Sequence, residues 1–278
     1  MKIAVLSGKG GTGKTFVSVN LACAAEQAVY VDCDVEEPNG HLFLKPDITE
    51  TKMVAVTVPD LELGKCTACR KCVEFCRYNA LALIKENLLI FHEICHSCGG
   101  CILFCPEQAL HKKQRPIGKI ETGISDNVTV LTGCLNTGEE SGSSIIKELM
   151  ETIPKQDTII IDCPPGSACI VMESIREADY CVLVAEPTLF GVHNLAMVHK
   201  LVKLFRKPYG LVLNKCLPGE NPAKRYCQEK RIPILAEIPY EEEVGSLNSK
   251  GLIAVRELAP YHGLFRKLLF SLRKEEPR

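Results

Sequence analysis

Short apolar runs and amphipathic segments alternate along this chain. Apolar runs of strand length, rich in Val, Ile and Leu, occupy residues 2–7, 158–162 and 211–215. Each is short enough to be a buried strand, and residues 16–25, after the first run, place apolar side chains at helical spacing and predict a helix. Strands that alternate with helices indicate an α/β fold. The chain has 278 residues, enough for one large α/β domain or a medium domain with a small insert.

Two other segments carry clear patterns. Residues 81–84 and 88–91 are apolar and flank the polar residues 85–87, which predicts a small β-hairpin. Residues 263–274 place five apolar side chains on one helical face and basic side chains around the other. Such a helix either packs on the core or lies on a membrane surface. We expect packing on the core, with membrane contact through this helix as the alternative.

Residues 8–15 read Gly-Lys-Gly-Gly-Thr-Gly-Lys-Thr and satisfy the phosphate-loop pattern G-x-x-x-x-G-K-[ST] between a predicted strand and a predicted helix. The glycines let successive backbone N–H groups face one centre, where the helix N-terminus also favours negative charge. We expect Lys14 to reach the β- and γ-phosphates of a nucleotide and Thr15 to ligate Mg²⁺. The predicted phosphate-binding residues are Gly8, Gly10, Gly11, Thr12, Gly13, Lys14 and Thr15.

Lys9 is a second lysine inside this loop, and the pattern K-G-G-x-G-K-[ST] resembles the deviant Walker A signature of the MinD/Mrp/ParA family of ATPases. The resemblance implies a doubly wound P-loop NTPase fold with a mostly parallel sheet, and Mg²⁺-dependent ATP hydrolysis. In that family two protomers enclose two nucleotides, and the first lysine touches the phosphates held by the other protomer. The resemblance therefore implies a homodimer, or a heterodimer with a related ATPase, with Lys9 and Lys14 as catalytic residues.

Further stretches resemble the nucleotide switches of the same family. The stretch that ends in Asp32-Cys-Asp34 looks like the second strand and first switch, which implies that Asp34 positions the attacking water. Asp32 is then structural or an outer-shell contact of Mg²⁺. The apolar strand that ends at Asp162 resembles the second switch, which implies Mg²⁺ binding through water by Asp162 and a γ-phosphate contact from the N–H of Gly166. The later stretches 211–215 and 238–240 resemble the segments that contact the base in this family, which implies adenine contacts from Asn214, Lys215 and Pro239.

The composition changes this picture in one respect, the presence of 16 cysteines. A hydrophobic content of 46%, a charged content of 24% and a net charge of −1 are ordinary, and they give no reason to expect bulk attraction to nucleic acid or anionic membrane. No apolar run approaches the ~20 residues of a spanning helix, and the chain starts directly with a predicted strand, so we expect a cytoplasmic protein. In a reducing cytosol, clustered cysteines are metal ligands more often than disulfides.

Half of the cysteines form two runs with the spacing C-x2-C-x2-C-x3-C, about 30 residues apart. The pattern resembles bacterial ferredoxins, in which the fourth cysteine of each run reaches the other cluster. The predicted ligands of one 4Fe–4S cluster are Cys66, Cys69, Cys72 and Cys105. Those of the second cluster are Cys95, Cys98, Cys101 and Cys76. Zinc also binds C-x2-C pairs. However, runs of four cysteines with the spacing x2-x2-x3 fit a cubane better than they fit tetrahedral zinc.

The first run departs from the ferredoxin pattern at its end. Cys76 is followed by Arg77, where the pattern places a proline, as Pro106 follows Cys105. Because that proline helps to keep the site dry, we expect the second cluster to be more solvated than the first. The predicted domains are two ATPase segments and a small inserted α+β ferredoxin-like domain, at residues 1–59, 113–278 and 60–112.

The other eight cysteines form no C-x2-C pair, and we expect most of them to be small buried residues. An alternative concerns Cys134 and Cys169. The nitrogenase iron protein, which belongs to the same family, bridges a cluster between protomers with two separated cysteines, one of them shortly after the second-switch aspartate. The resemblance leaves open whether Cys134 and Cys169 bridge a further cluster.

Two functions are compatible with this combination. In the main hypothesis, ATP binding and hydrolysis gate the ferredoxin module, which transfers electrons or supports iron–sulfur cofactor assembly on a redox or metallocofactor protein partner. In the alternative hypothesis the chain is a positioning ATPase like MinD or ParA, and its clusters are structural or redox-sensing. Two low-potential clusters are more than a structural role requires, so we expect the first function.

Overall fold

The computed structural model describes residues 1–274, and residues 275–278, at the end of the predicted 113–278 segment, lie outside the described part. The strands are β1 (Lys2–Leu6), β2 (Ala28–Asp32), β3 (Asp47–Leu61), β4 (Leu81–Ile84), β5 (Asn87–Ile90), β6 (Leu110–Ser125), β7 (Val128–Leu135), β8 (Ile159–Asp162), β9 (Tyr180–Ala185), β10 (Tyr209–Cys216) and β11 (Ile234–Pro239). The helices are α1 (Lys14–Ala24), α2 (Gly40–Leu44), α3 (Lys71–Phe75), α4 (Gly100–Leu103), α5 (Ser143–Thr152), α6 (Cys169–Ile175), α7 (Leu189–Leu204), α8 (Pro222–Lys230), α9 (Glu242–Ser249), α10 (Ala254–Glu257) and α11 (Ala259–Lys274).

One large sheet organises the described chain. Its nine strands lie in the order β11-β10-β9-β1-β8-β2-β7-β6-β3. All neighbours from β11 to β7 are parallel, whereas β6 runs antiparallel to β7 and β3 antiparallel to β6. The predicted mostly parallel α/β sheet is confirmed. The carboxyl ends of β1, β8 and β2 meet at one edge, and there Asp32 pairs in register with Asp162.

Helices cover both faces of the sheet, as the doubly wound fold requires. One buried apolar cluster joins the sheet to α5, α6, α7 and α8. A second cluster joins the opposite face to α1, α2, α10 and α11. The parallel strands are buried on both faces, which explains why they read in the sequence as continuous apolar runs without alternation.

Helix α11 packs on the core with its apolar face. Phe265 and Leu272 are fully buried, and the ring of Phe265 meets the ring of Phe16 edge to face with centroids 6.0 Å apart. The expectation of core packing for this helix is confirmed, because the face that a membrane would take up is already covered. Within residues 1–274, no helix combines the length and apolar character needed to cross a bilayer.

The starts of two helices have local causes, and the first of them lies earlier than the predicted helix of residues 16–25. Helix α1 begins at Lys14 because Gly13, with φ at 89°, turns the chain directly into the helix. Helix α7 begins at Leu189 because the side chain of Thr188 accepts a hydrogen bond from the N–H of Gly191 and caps the first turn. Both starts are set by backbone geometry, to which an apolar pattern is insensitive.

A long antiparallel ribbon leads from the edge of the sheet to the cysteine-rich segment. Its two strands, β3 and β6, remain paired from Asp47 opposite Ile124 to Leu61 opposite Leu110. The predicted insert of residues 60–112 therefore starts and ends inside these strands. A hydrogen-bonded ladder with register shifts at Ile48/Glu50 and Val54/Ala55, in place of a flexible linker, connects the insert to the sheet.

Residues 62–109 form a small unit at the end of this ribbon. Strands β4 and β5 pair as the predicted hairpin, and a separate apolar cluster fills the unit. The two cysteine runs have matching backbone conformations, because equivalent positions 29 residues apart both have positive φ. The matching pairs are Ala68 and Ser97, Arg70 and Gly99, and Asn79 and Gln108. The unit is thus an internal repeat in conformation as well as in sequence.

The packing of α11 makes a stability prediction. Phe265→Ala is expected to lower the free energy of unfolding by about 3–5 kcal/mol, because it leaves a cavity at a fully buried position. The control is Phe270→Ala on the same helix, where the ring is 62% exposed and the expected change is within about 0.5 kcal/mol. Urea unfolding followed by circular dichroism measures both. Equal, small changes for the two variants would show that α11 does not pack as described.

Candidate functional site

The phosphate loop connects β1 to α1 at the carboxyl edge of the sheet, and its glycines are sterically required. Gly13 has φ at 89°, and a Cβ there would collide with the side-chain amide of Asn214. A Cβ on Gly8 would collide with the backbone of Asn194. The amide of Asn214 in turn donates to the carbonyl of Thr12 at 2.8 Å. The loop is therefore fixed from both sides by later segments of the chain.

A cavity of about 630 Å³ lies over this loop. Its volume falls in the range of small-ligand sites. Most of the residues predicted to bind the nucleotide line it, namely Lys9, Gly10, Gly11, Gly13, Lys14, Thr15, Asp34, Asn214, Lys215 and Pro239. Four other predicted residues, Gly8, Thr12, Asp162 and Gly166, do not line this cavity. Segments far apart in sequence thus converge on one pocket, as the resemblance implies.

Lys14 and Asp162 form a buried ion pair at the floor of the site. Lys14 Nζ lies 2.6 Å from Asp162 Oδ1 and 3.8 Å from Asp34 Oδ2. The hydroxyl of Tyr30 donates to the other oxygen of Asp162 at 2.8 Å. Burial opposes the charge on Lys14, but the adjacent carboxylates Asp162, Asp32 and Asp34 outweigh it and raise the lysine pKa. A phosphate group and Mg²⁺ would compete with these contacts, the phosphate for Lys14 and the metal for Asp162.

The two aspartates of the first switch have different surroundings. Asp32 is buried and accepts the N–H groups of Gly40 at 2.9 Å and Asp34 at 3.2 Å, so it shapes the backbone of the switch. Burial and the charge of Asp162 raise the pKa of Asp32 to about 7. Asp34 faces the cavity, and burial together with the charges of Asp162 and nearby glutamates raises its pKa to about 6.

Lys9 lies against its own chain. Its Nζ is 3.1 Å from Glu186 Oε2 and 5.2 Å from the centre of the Phe190 ring. Glu186 also binds Lys215 at 2.7 Å, and Lys215 donates to the carbonyl of Gly11 at 2.7 Å. Burial works against the charge of Glu186, but the two lysines prevail and lower its pKa. The predicted contact of Lys9 with a second protomer stays a prediction.

Gly166 makes a contact that the sequence does not anticipate. Its N–H donates to the carbonyl of Ser7 at 2.9 Å, and its φ of 94° suits glycine. The prediction that this N–H meets a γ-phosphate therefore requires a rotation of the peptide away from Ser7, and it stays a prediction.

Sequence reasoning missed two residues of the site. Glu186 follows the buried strand β9, which lies next to β1, so an acidic residue at that carboxyl edge was a usable signal. Tyr30 lies inside the apolar strand β2, where an aromatic residue is ordinary, and nothing in the sequence marks its contact with Asp162.

The cysteine-rich unit contains two further cavities, of about 20 Å³ and about 370 Å³. The cysteines around the first are Cys66, Cys69, Cys72 and Cys105. Those around the second are Cys76, Cys95, Cys98 and Cys101. Each cavity thus combines three cysteines of one run with the fourth cysteine of the other. In the described part of the chain, no three His, Cys, Asp or Glu side chains are close enough to hold a single metal ion.

Burial and the neighbouring thiols raise the pKa of a cysteine in each cavity. The affected thiols are Cys72 and Cys101, the latter with a pKa of about 11. Cys66 and Cys105 act on Cys72, and Cys95 and Cys98 act on Cys101. Near neutral pH, these two thiols would therefore lose their protons only beside a positively charged group.

Outside this unit, several cysteines are small buried residues, as expected, among them Cys33, Cys163, Cys181 and Cys227. Cys134 lies in β7 and is partly buried, and Cys169 is the exposed first residue of α6. Whether Cys134 and Cys169 take part in a bridge between protomers stays a prediction.

Comparison with known proteins identifies relatives of this chain. The profile of the CobQ/CobB/MinD/ParA nucleotide binding domain matches residues 3–255. An uncharacterized protein of Methanocaldococcus jannaschii is 31% identical over 90% of this chain and 90% of the relative. The iron-sulfur cluster carrier protein of Pyrococcus horikoshii is 24% identical over 98% of this chain and 85% of the relative. The septum site-determining protein MinD of Pyrococcus horikoshii, solved with Mg-ADP, matches with a TM-score of 0.59 at 20% identity, covering 98% of this chain and 96% of that one.

These likenesses bear unequally on the two functional hypotheses. The matching profile and the shared fold support a MinD/ParA-like ATPase, which is the alternative hypothesis, better than they support a gated ferredoxin module. A link to iron–sulfur chemistry comes from the name of a relative at 24% identity. The hypothesis of an inserted ferredoxin therefore depends on the cysteines themselves.

The raised pKa of Asp34 makes a prediction about pH. If Asp34 positions the attacking water as a carboxylate, kcat/KM for ATP should fall as the pH drops through about 6, because the acid form then accumulates. Asp34→Asn should be nearly inactive at every pH, because an amide cannot act as the carboxylate. As a control, Glu37→Gln should keep the fall and move it to lower pH, because one repelling carboxylate is gone. A rate that stays level from pH 7 to pH 5 would contradict this role for Asp34.

Proposed function

This chain belongs to the CobQ/CobB/MinD/ParA nucleotide-binding family and is a P-loop ATPase, and we propose that its Mg²⁺-dependent ATP turnover controls two 4Fe–4S clusters held at the end of the β3–β6 ribbon. The observation that carries the proposal is the grouping of eight cysteines into two sets of four, one around each cavity. The first cavity, at about 20 Å³, has room for about one water molecule and would have to widen to take a cubane. Electron transfer to a partner, or assembly of an iron–sulfur cofactor on a partner, is the proposed purpose.

The donor set of each cavity suits a cubane better than zinc. Two thiolates on one zinc ion lie about 3.8 Å apart, given a Zn–S distance of about 2.3 Å. A cubane spreads its four thiolates over four iron corners, so they need not meet around one point. Four thiols line each cavity, the number that a cubane takes as ligands. The crossing of Cys76 and Cys105 between the two sets supports the ferredoxin arrangement.

The proposed clusters differ in their surroundings. Pro106 lines the first cavity, whereas Arg77 lines the larger second one, where the rings of Tyr78 and His96 stack with centroids 3.6 Å apart. The greater volume of the second cavity supports the expectation that its cluster is more accessible to water. When bound, each cluster supplies one-electron redox chemistry. The second cluster is the one we propose to exchange electrons with a partner.

In the proposed ATPase cycle, the phosphate loop holds the triphosphate through its backbone N–H groups. Lys14 leaves Asp162 to contact the β- and γ-phosphates, while Thr15, together with Asp162 through water, would hold Mg²⁺, which neutralises phosphate charge. Asp34 orients the attacking water, and Gly166 turns its N–H toward the γ-phosphate. The proposed adenine contacts come from Asn214, Lys215 and Pro239.

Lys9 is the proposed link to a second protomer, either an identical chain or a related ATPase. In the cavity it would duplicate Lys14, whereas across an interface it would place positive charge where charge develops on the partner's γ-phosphate. To do so it must leave Glu186 and Phe190. ATP would then favour the closed dimer by the differential contacts that each nucleotide makes.

A second candidate function is a positioning ATPase of the MinD/ParA type, in which the clusters are structural or redox-sensing. The family membership and the fold favour it. The two functions differ in their partners, since a positioning protein associates with a membrane or with DNA in an ATP-dependent way. The buried apolar face of α11 argues against membrane binding through that helix.

Metal content tests the cluster proposal. Protein purified without oxygen should contain about eight iron and eight sulfide per chain, since two 4Fe–4S clusters require them. Cys69→Ser should lose one cluster preferentially and Cys98→Ser the other, while Cys227→Ser, a buried thiol of the ATPase body, should lose neither. Elemental analysis and visible absorption measure this. Zinc in place of iron, without charge-transfer absorption, would refute the proposal.

Dimerisation tests the role of Lys9. Lys9→Ala should bind a non-hydrolysable ATP analogue, yet fail to dimerise on it and fail to hydrolyse ATP. Lys14→Ala should not bind the analogue at all, because it removes a direct phosphate contact. Sedimentation velocity with and without the analogue, together with a binding assay, separates these effects. If Lys9→Ala dimerises like the unchanged protein, Lys9 does not act on a second protomer.

A further inference from the structure

Besides the pairing of β6 with β7 and an ion pair of Lys52 with Glu148, the ribbon contacts the ATPase body through a bidentate charged pair. The guanidinium of Arg115, on β6, donates from its two terminal nitrogens to the two carboxylate oxygens of Glu139 at 2.5 and 2.7 Å. The side chains are only 20% and 12% exposed, so solvent screens the pair weakly. Among residues 1–274, Arg115 Nε is the buried side-chain nitrogen or oxygen that has no hydrogen-bond partner. Arg115 is thus tied to Glu139 and still has one free donor.

On the ATPase side, Glu139 belongs to a loop that is bound to the first nucleotide switch. The loop begins after Leu135, whose N–H donates to the carbonyl of Val35 at 2.8 Å. Val35 directly follows Asp34, the proposed water-positioning residue. The loop ends at Gly142, where a Cβ would collide with the side chain of Val35. Both ends of the loop thus contact Val35, so a shift of the switch would act on this loop, which is also bound to β6 through the N–H of Asn136 and the carbonyl of Ile117 at 2.9 Å.

On the side of the insert, Arg115 is within electrostatic reach of the turn that leads into the second cysteine run. Besides Glu139, the charges of Glu93 and Cys95 contribute to raising the pKa of Arg115. The turn that carries them is fastened to the same ribbon, since His92 Nε2 lies 2.9 Å from the carbonyl oxygen of Pro59, and the N–H of Cys95 donates to the carbonyl of His92 at 3.3 Å. Arg115 therefore stands between the loop of Glu139 and the run that begins at Cys95.

We propose that Arg115 is a positioning residue that transmits the nucleotide state of the first switch to the second iron–sulfur cluster. This inference rests on the proposed function. With Glu139 in place, the charge of the guanidinium is largely neutralised. When ATP moves the switch and draws Glu139 away, Arg115 would carry an uncompensated positive charge. That charge would favour the more negative, reduced form of a cluster held by the run that begins at Cys95. Arg115 would then make it easier for a cluster bound there to accept one electron from a low-potential one-electron reductant such as dithionite, and no bond would be made or broken.

The test compares reduction potentials in the intact protein with both clusters bound. Titrations with dithionite, followed by electron paramagnetic resonance, are carried out with Mg-ADP and with Mg²⁺ plus a non-hydrolysable ATP analogue. In the unchanged protein, one of the two reduction steps should shift between the nucleotides. Arg115→Gln and Glu139→Gln should abolish that shift while still binding nucleotide and holding both clusters. Glu139→Gln should also hold the affected step at higher potential with either nucleotide, because Arg115 is left unneutralised.

The matched control is Lys113→Gln. Lys113 lies two residues from Arg115 on the same strand, but it pairs within the ribbon, with Asp60 at 3.2 Å. This variant removes the same charge without touching the loop of Glu139, so the nucleotide-dependent shift should remain. A shift that persists in both Arg115→Gln and Glu139→Gln, or is absent from the unchanged protein with its clusters bound, overturns the inference. Unchanged protein without iron overturns the proposed function itself. If one variant fails to fold, the other decides.

Discussion

Asp162 is a carboxylate with no exposure to solvent, and the site is organised around the need to compensate it. A buried unpaired charge costs several kcal/mol, so partners must come from other elements. Lys14 from the phosphate loop and Tyr30 from β2 supply them. These contacts hold three neighbouring segments at one edge of the sheet. In the proposed cycle, Mg²⁺ and phosphate would replace the internal lysine contact, and the same carboxylate would then serve both stability and chemistry.

The ribbon is the second constraint, because it determines how the ATPase and the cysteine-rich unit can influence each other. A flexible linker would let the two move independently. The paired strands β3 and β6 instead extend from the sheet edge, next to β7, into the unit itself. The first switch lies close to the same region, since Val35 binds the end of β7. Under the proposed function, movement at the nucleotide would reach the cysteines through the end of β7 and the ribbon, with Arg115 on that route.

How much of this structure the sequence predicts depends on how far apart along the chain the interacting residues lie. The phosphate loop, the apolar strands and the hairpin at residues 81–90 are local patterns, and each can be identified without a partner segment. The cysteine sets also follow from spacing, although Cys76 and Cys105 exchange places between runs. Contacts such as Tyr30 with Asp162, or Arg115 with Glu139, join residues far apart in sequence. Neither residue type nor neighbouring residues mark them, so only the folded chain reveals them.

Binding of ATP to the oxidised and reduced forms of the protein tests most directly whether the ATPase and the cysteine-rich unit are energetically coupled. Linkage requires that if nucleotide changes the reduction of a cluster, reduction changes nucleotide affinity by the same factor. Titration calorimetry with a non-hydrolysable ATP analogue, without oxygen, measures both affinities on one preparation. The account predicts tighter binding to the reduced protein, since both events favour the state in which Arg115 is released from Glu139. Equal affinities, with both clusters present and ATP hydrolysed normally, would contradict it.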